Sequence, residues 1–399
     1  MQHAQADLVI FQALCYPTLT VPAYNGNNRK PKRGEMETVI ITRAPLRISL
    51  AGAGTDLPGY YQKRPGLVIS ATINHYVYSI LTAGQPGPTQ VIYANSRASS
   101  QSAGCEDMFW ANDLSLPKEI ARQFNMQDGL TVFLASQVPP GTGLGTSGCV
   151  AVSMIKALAF CCGLDLGPRE VAEMACLIEI DKMEMPVGQQ DPYAVAFGGL
   201  NRITFDKNGV IVDPLSVPEK AGHTLQEELT FFYCGPSTLS SEILRRQQQA
   251  TGRGDREVLD RLTQIRDLAQ EMQGALAAGQ LDHFADVLHR SWQERRQLTP
   301  GITNTHLDRC YQVARENGAL GGTLTGAGGG GILVLYCPKA HQPLVQEALE
   351  GLGLERWPCQ LENQGVQLMQ AMPWMRQPSN MPWPQMPTAP SPAFMPTRA

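Results

Sequence analysis

The segment PPGTGLGTSGCVAV (139–152) gathers residue types that handle phosphate. Gly141, Gly143, Gly145 and Gly148 leave backbone N–H groups unobstructed, and the breaker-free run after them predicts a helix from Thr146 to Cys162. A helix N-terminus carries partial positive charge, which suits an anion held by those N–H groups. Thr146 or Ser147 can cap this helix. One of the two hydroxyls could also reach a Mg2+ ion bridging phosphates. Downstream, LIEIDKMEMPVGQQDPYAVAFGG offers Glu179 on a helix and Asp191 in the loop after it. Magnesium wants a carboxylate, and phosphate transfer to a hydroxyl benefits from another beside that hydroxyl. Taken singly, each has a plainer explanation: a solvated helix face for Glu179, as for Glu173 and Asp181, and a helix cap before Pro192 for Asp191.

The stretch from Gly143 to Gly148 also satisfies the G-x-G-x-x-G pattern of dinucleotide-binding folds, as does Gly326 to Gly331. That reading needs an acidic residue at the end of the next strand, but Asp165 comes after a helix. The second match runs into the strand-like ILVLY and not into a helix. A Walker A loop needs a lysine after its last glycine, and Gly148 is followed by Cys149. Phosphate at a helix start survives these tests; a dinucleotide does not.

Other elements must position these residues. TVIITRAPLRISLAGAGTD (38–56) is a β-branched run ending in glycines, GLVISATINHYVYSILTAG (66–84) one long strand or a hairpin arm, and LTVFLASQ leads into the glycine loop. Gly163 suits a left-handed helix exit, and Pro168 opens a second helix, PREVAEMACLIEIDKM. A new segment starts at strand ELTFFYCG (228–235), continues through long helices and reaches GALGGTLTGAGGGGILVLY, a glycine loop feeding a strand.

The chain has 399 residues, 43% hydrophobic and 17% charged, enough for two cores. A net charge of −4 argues against nucleic acid and anionic membrane as partners. Ten cysteines without a C-x-x-C pair read as reduced thiols in a cytoplasmic protein. The N-terminus makes a poor signal peptide and no run of about 20 apolar residues occurs. Residues 1–36 read as a poorly ordered extension. The Pro- and Met-rich 372–399 reads as a disordered tail.

Three stretches together resemble the GHMP kinases: RAPLRISLAGAGTDLPGYY (43–61), PPGTGLGTSG (139–148) and GGTLTGAGGGG (321–331). Their order and separation match over roughly residues 38–370. Within the family, RISLAGAGTDLP, IEIDKMEMPVGQQDPYAVAFGGLN and LTPGITNTHLDRCYQVARENGALGG look most like the D-glycero-D-manno-heptose 7-phosphate kinases. The resemblance implies an α+β fold of two domains: an N-terminal ribosomal protein S5 domain 2-like domain (37–222) that binds ATP, and a ferredoxin-like C-terminal domain (223–371). It implies ATP and Mg2+ as cofactors and a sugar or sugar phosphate as acceptor, phosphorylated at its anomeric hydroxyl. It leaves the oligomeric state open. Carried over residue by residue, it puts Pro140, Gly141, Thr142, Gly143, Leu144, Gly145, Thr146, Ser147 and Gly148 around the ATP phosphates. Ser147 and Glu179 become metal ligands, Asp191 accepts the proton of the sugar hydroxyl or orients it, and Arg47 stabilises charge at the reacting oxygen. Thr55, Asp56, Gly326, Ala327, Gly328 and Gly329 fall beside the sugar. Ala53, Thr238 and Thr323 depart from the family pattern, the last two by removing cations. The alternatives are a fucokinase- or galactokinase-like enzyme, and a non-catalytic sugar or ATP sensor.

Overall fold

A computed structural model describes residues 37–95, 114–126, 128–237 and 240–374. The 1–36 extension, Cys15, Cys105, Thr238 and the tail from residue 375 lie outside the described residues.

The first unit is built on two long antiparallel strands, β1 (Glu37–Ala51) and β2 (Gly66–Pro88). Leu46, Ile48 and Leu50 alternate into the core, so Arg47 and Ser49 face the opposite side. β2 is one long strand, antiparallel to the strand before it, and it changes its other partner along its length. After β3 (Gln90–Asn95) comes β4 (Asp128–Ser136), which pairs with the end of β2 and, in parallel, with β3. The start of β2 pairs with β5 (Leu200–Asp206), whose other edge takes β6 (Gly209–Pro214). Against this sheet packs the helix Thr146–Cys161, apolar nearly all round and buried along most of its length.

The second unit holds a four-stranded antiparallel sheet. In chain order its strands are β7 (Leu229–Tyr233), β8 (Gly321–Leu324), β9 (Ile332–Tyr336) and β10 (Glu355–Arg356); in space they run β10-β7-β9-β8. β8 and β9 are buried at every position, which explains the unalternating ILVLY. Helix Thr305–Glu316 packs into the second core, while Arg256–Ala277 and Leu281–Arg295 bury residues in both cores; Asp255 and Asn304 side chains cap two of the three. The units are tied together by Tyr60 Oη to Thr263 Oγ1 at 3.1 Å, and by Arg64, which donates to Asp260 and Thr263.

The chain then returns to the first sheet. β11 (Leu361–Glu362) pairs with β2, and β12 (Gln367–Trp374) pairs with β1 from Arg43 back to Glu37. The stretch from Leu361 onward, expected at the end of the second domain, is therefore sheet of the first. β12 also runs past Met372, where the tail is expected to begin. It is an edge strand, where Pro373 is tolerated because its missing N–H breaks no interior ladder.

Candidate active site

The second glycine motif forms a loop whose geometry only glycine allows. Gly141, Gly143 and Gly145 have φ of 78°, 71° and 76°. Gly145 takes the N-cap position of helix Thr146–Cys161, and no side chain caps that end. The expected cap by Thr146 or Ser147 is thus not formed. The physical reason is position: with Gly145 at the N-cap, Thr146 and Ser147 already stand inside the first turn of the helix.

Glu179 lies on a segment expected to be continuous α-helix. The α-helix ends at Cys176 and Leu177–Lys182 is a π-helix, with Met183 N–H donating to Ile178 O. The wider turn leaves Glu179 2% exposed while Asp181 stays at the surface. Burial, then the neighbouring Asp191, push the Glu179 carboxyl up to about 8 against the Ser147 hydrogen bond. Its Oε1 is buried without a hydrogen-bond partner. A cation held by Ser147 and Glu179 would supply the missing partner, so these residues fit Mg2+. Among the described residues no cluster of three or more His, Cys, Asp or Glu could hold a metal. Two protein ligands suit magnesium, which keeps waters and phosphate oxygens in its shell.

Asp191 sits in the first turn of helix Gln190–Phe197, but its side chain does not cap it. It forms a bidentate pair with Arg47, Nε to Oδ1 at 2.7 Å and Nη2 to Oδ2 at 2.6 Å, across 144 residues of sequence. Arg47 Nη1 also donates to Gly143 O at 2.7 Å, and its backbone N–H to Leu144 O. Burial opposes the Arg47 charge, but Asp191 outweighs it and the guanidinium is held above its ordinary value. A Cβ on Gly148 would lie 2.9 Å from Asp191 Cβ, and one on Gly145 3.2 Å from Arg47. Strand β1, the glycine loop, the π-turn and the Asp191 helix thus converge on one spot.

The first motif divides. Asp56, 2% exposed, accepts from Gly54 N–H at 3.0 Å and Gln190 N–H at 3.3 Å, which ties it to the residue before Asp191. Burial and then Asp191 raise its pKa. Thr55 is fully buried, and its hydroxyl donates to backbone oxygens of Gly52 and Leu67 and accepts from Leu67 N–H. That use pins the turn of the first motif with the Thr55 hydroxyl. Leu144, placed by resemblance around ATP, packs its side chain into the core at 1% exposure. Thr142 is equally buried; its carbonyl accepts from Thr325 Oγ1 at 2.8 Å.

The third motif crosses the second. A Cβ on Gly326 would lie 2.4 Å from Gly143 Cα, and one on Gly331 2.6 Å from Thr142 O. Gly328 and Gly329 lie on the 301–302 backbone, with Gly329 N–H donating to Ile302 O, and Ala327 packs against the second core. The residue the sequence did not single out is Arg295. It is 6% exposed and donates to the carbonyls of Leu324 and Gly326. The eight described cysteines are free thiols. No described helix is long and apolar enough to cross a membrane.

Comparison with known proteins identifies the family. Residues 115–199, from the sheet through both carboxylates, match the family described as GHMP kinases N terminal domain, and residues 272–353 match GHMP kinases C terminal. D-glycero-alpha-D-manno-heptose 7-phosphate kinase of Campylobacter jejuni is 31% identical over 306 residues, which cover 74% of this chain and 89% of that protein. The fold is shared with a D-glycero-D-manno-heptose 1-phosphate kinase from Bacteroides thetaiotaomicron (TM-score 0.64, 24% identity, 84% of this chain and 100% of that one). It is shared also with Lactococcus lactis galactokinase complexed with galactose (TM-score 0.65, 16% identity, 92% and 99%). The chain belongs to the GHMP kinases, as a two-domain α+β sugar kinase.

Proposed function

We propose that this chain transfers the γ-phosphate of ATP to the anomeric hydroxyl of a D-glycero-D-manno-heptose 7-phosphate. The observation that carries the reading is the Arg47–Asp191 pair, set between a phosphate-suited glycine loop and the Ser147–Glu179 couple. The heptose is suggested by the Campylobacter jejuni relative. A need for ATP fits a cytoplasmic location.

Phosphoryl transfer asks mainly for positioning and charge stabilisation. The N–H groups from Gly141 to Gly148 hold the phosphates at the positive end of the helix. Mg2+, when held by Ser147 and Glu179, neutralises charge on those phosphates. Each Asp191 oxygen accepts from Arg47 and keeps a lone-pair direction for the attacking hydroxyl. A proton taken up by Asp191 would disturb the bidentate pair, so we assign Asp191 to orienting the hydroxyl. Asp56 and the third loop line the acceptor side.

The test is ADP release over free hexoses, heptoses and their terminal phosphates, with NMR locating the new phosphate. Heptose 7-phosphate should give the highest kcat/KM and a 1,7-bisphosphate. A free hexose as best acceptor refutes the heptose, and release on no sugar refutes the kinase reading. Asp191→Asn should lower kcat by about 10²-fold, the scale of a misplaced hydroxyl, with the fold intact.

A further inference from the structure

Two arginines meet at the crossing of the second and third glycine loops, and only one of them has a carboxylate. Arg47, from the first unit, holds Gly143 O and is neutralised by Asp191. Arg295 is the last residue of helix Leu281–Arg295 in the second unit. It holds Leu324 O and Gly326 O, with Thr323 Oγ1 at 3.4 Å. Among the described residues its guanidinium pairs with no carboxylate, and its charge is felt by both Arg47 and Asp56. Gly143 and Gly326 are the very residues whose backbones touch, with no room for a Cβ on either. Burying a guanidinium costs desolvation, which the attraction of Asp56 and the hydrogen bonds to two loop carbonyls offset only in part. The loop crossing is where that unfavourable burial is found.

We propose that Arg295 is a positioning residue for phosphoryl transfer. It fixes the third loop from the second unit, as Arg47 fixes the phosphate loop from the first. The two loops then present the donor phosphate and the acceptor hydroxyl in line. This rests on the kinase reading above. Its reach differs, because Arg295 touches neither substrate and acts only through the carbonyls of residues 324 and 326.

The experiment compares wild type, Arg295→Met, Arg295→Lys, Thr325→Val and Arg295→Met/Thr325→Val in the full chain. ADP release and sugar-phosphate formation are measured in parallel, well below the Tm of each. The expected result for Arg295→Met is a kcat lower by about 10²-fold, the scale of a small misplacement, with acceptor KM nearly unchanged. ADP released per sugar phosphate should rise above one, which a loss of folded protein cannot produce. Arg295→Lys keeps the charge but not the planar fork that reaches two carbonyls, so it should recover only part of kcat. Thr325 Oγ1 ties the same loop to Thr142 O, so the double variant should lose less than the two single losses combined. Kinetics of Arg295→Met within about threefold of wild type, strictly additive losses, or a kcat that merely tracks the folded fraction would each overturn the proposal. Wild type lacking sugar-dependent ADP release would fail the kinase reading instead, whatever Arg295 does.

Discussion

Glu179 is the group whose surroundings most alter its chemistry. In the fold it keeps its proton to about pH 8, against an ordinary value of 4.5. Between those values the folded chain binds more protons than the unfolded one, so stability falls as pH rises. Held in EDTA, the wild type should therefore lose stability relative to Glu179→Gln from about pH 4.5 to about pH 8. Denaturation midpoints across that range check it, and parallel curves for the two proteins would refute it. Added Mg2+ should restore the wild type at alkaline pH and leave Glu179→Gln unmoved. Ser147, Glu179, Asp191 and Arg47 can be singled out in the sequence because each lies in a motif. Their pairing is not: Arg47 and Asp191 meet across 144 residues, and no local pattern encodes that. Arg295 is hidden for a related reason. It stands in the charged run QERRQ, which reads as a solvated helix end.

At the scale of elements, the glycines matter through what they approach. Gly148 has ordinary helical φ, so alanine there is favoured by helix propensity, by up to about 1 kcal/mol in a helix interior. Its Cβ would nevertheless push on Asp191 at 2.9 Å. Gly148→Ala should thus lower kcat about tenfold or more while lowering Tm by only a few degrees, because the propensity gain offsets part of the cost of the clash. Equal falls in both would place the effect in folding. Helix and strand types follow from the sequence where periodicity is strong, as in REVLDRLTQIRDLAQEMQGALA or the alternating β1. The π-turn at Leu177–Lys182 escapes because the same residues would also suit an α-helix. The partner change along β2 escapes likewise, since one alternating run is compatible with several neighbours.

For the whole molecule, the decisive connection is the return of the chain to its own beginning. β12 covers the edge of β1 from Glu37 to Arg43. Truncation after Val366 should expose that edge and give an aggregating chain of lower Tm, whereas truncation after Trp374 leaves the sheet complete and should keep the wild-type Tm. Light scattering and thermal melts distinguish the two; indistinguishable melts would mean β12 is dispensable. The two-unit plan is legible from motif order, but the return is not, because QLMQAMPW merges by composition with the low-complexity stretch after it.

That return also sets a schedule for biosynthesis. The strand that carries Arg47 is among the first parts of the described chain to leave the ribosome, and its edge partner is the last. Pairing so distant in sequence is slow to form, and the unfinished edge stays available to other nascent chains meanwhile. The second unit has all four strands of its sheet by Arg356 and can fold while β1 still waits. Phosphate-transfer competence should therefore appear only after β12 has emerged, and chaperone demand should fall on the first half of the protein although it is made first.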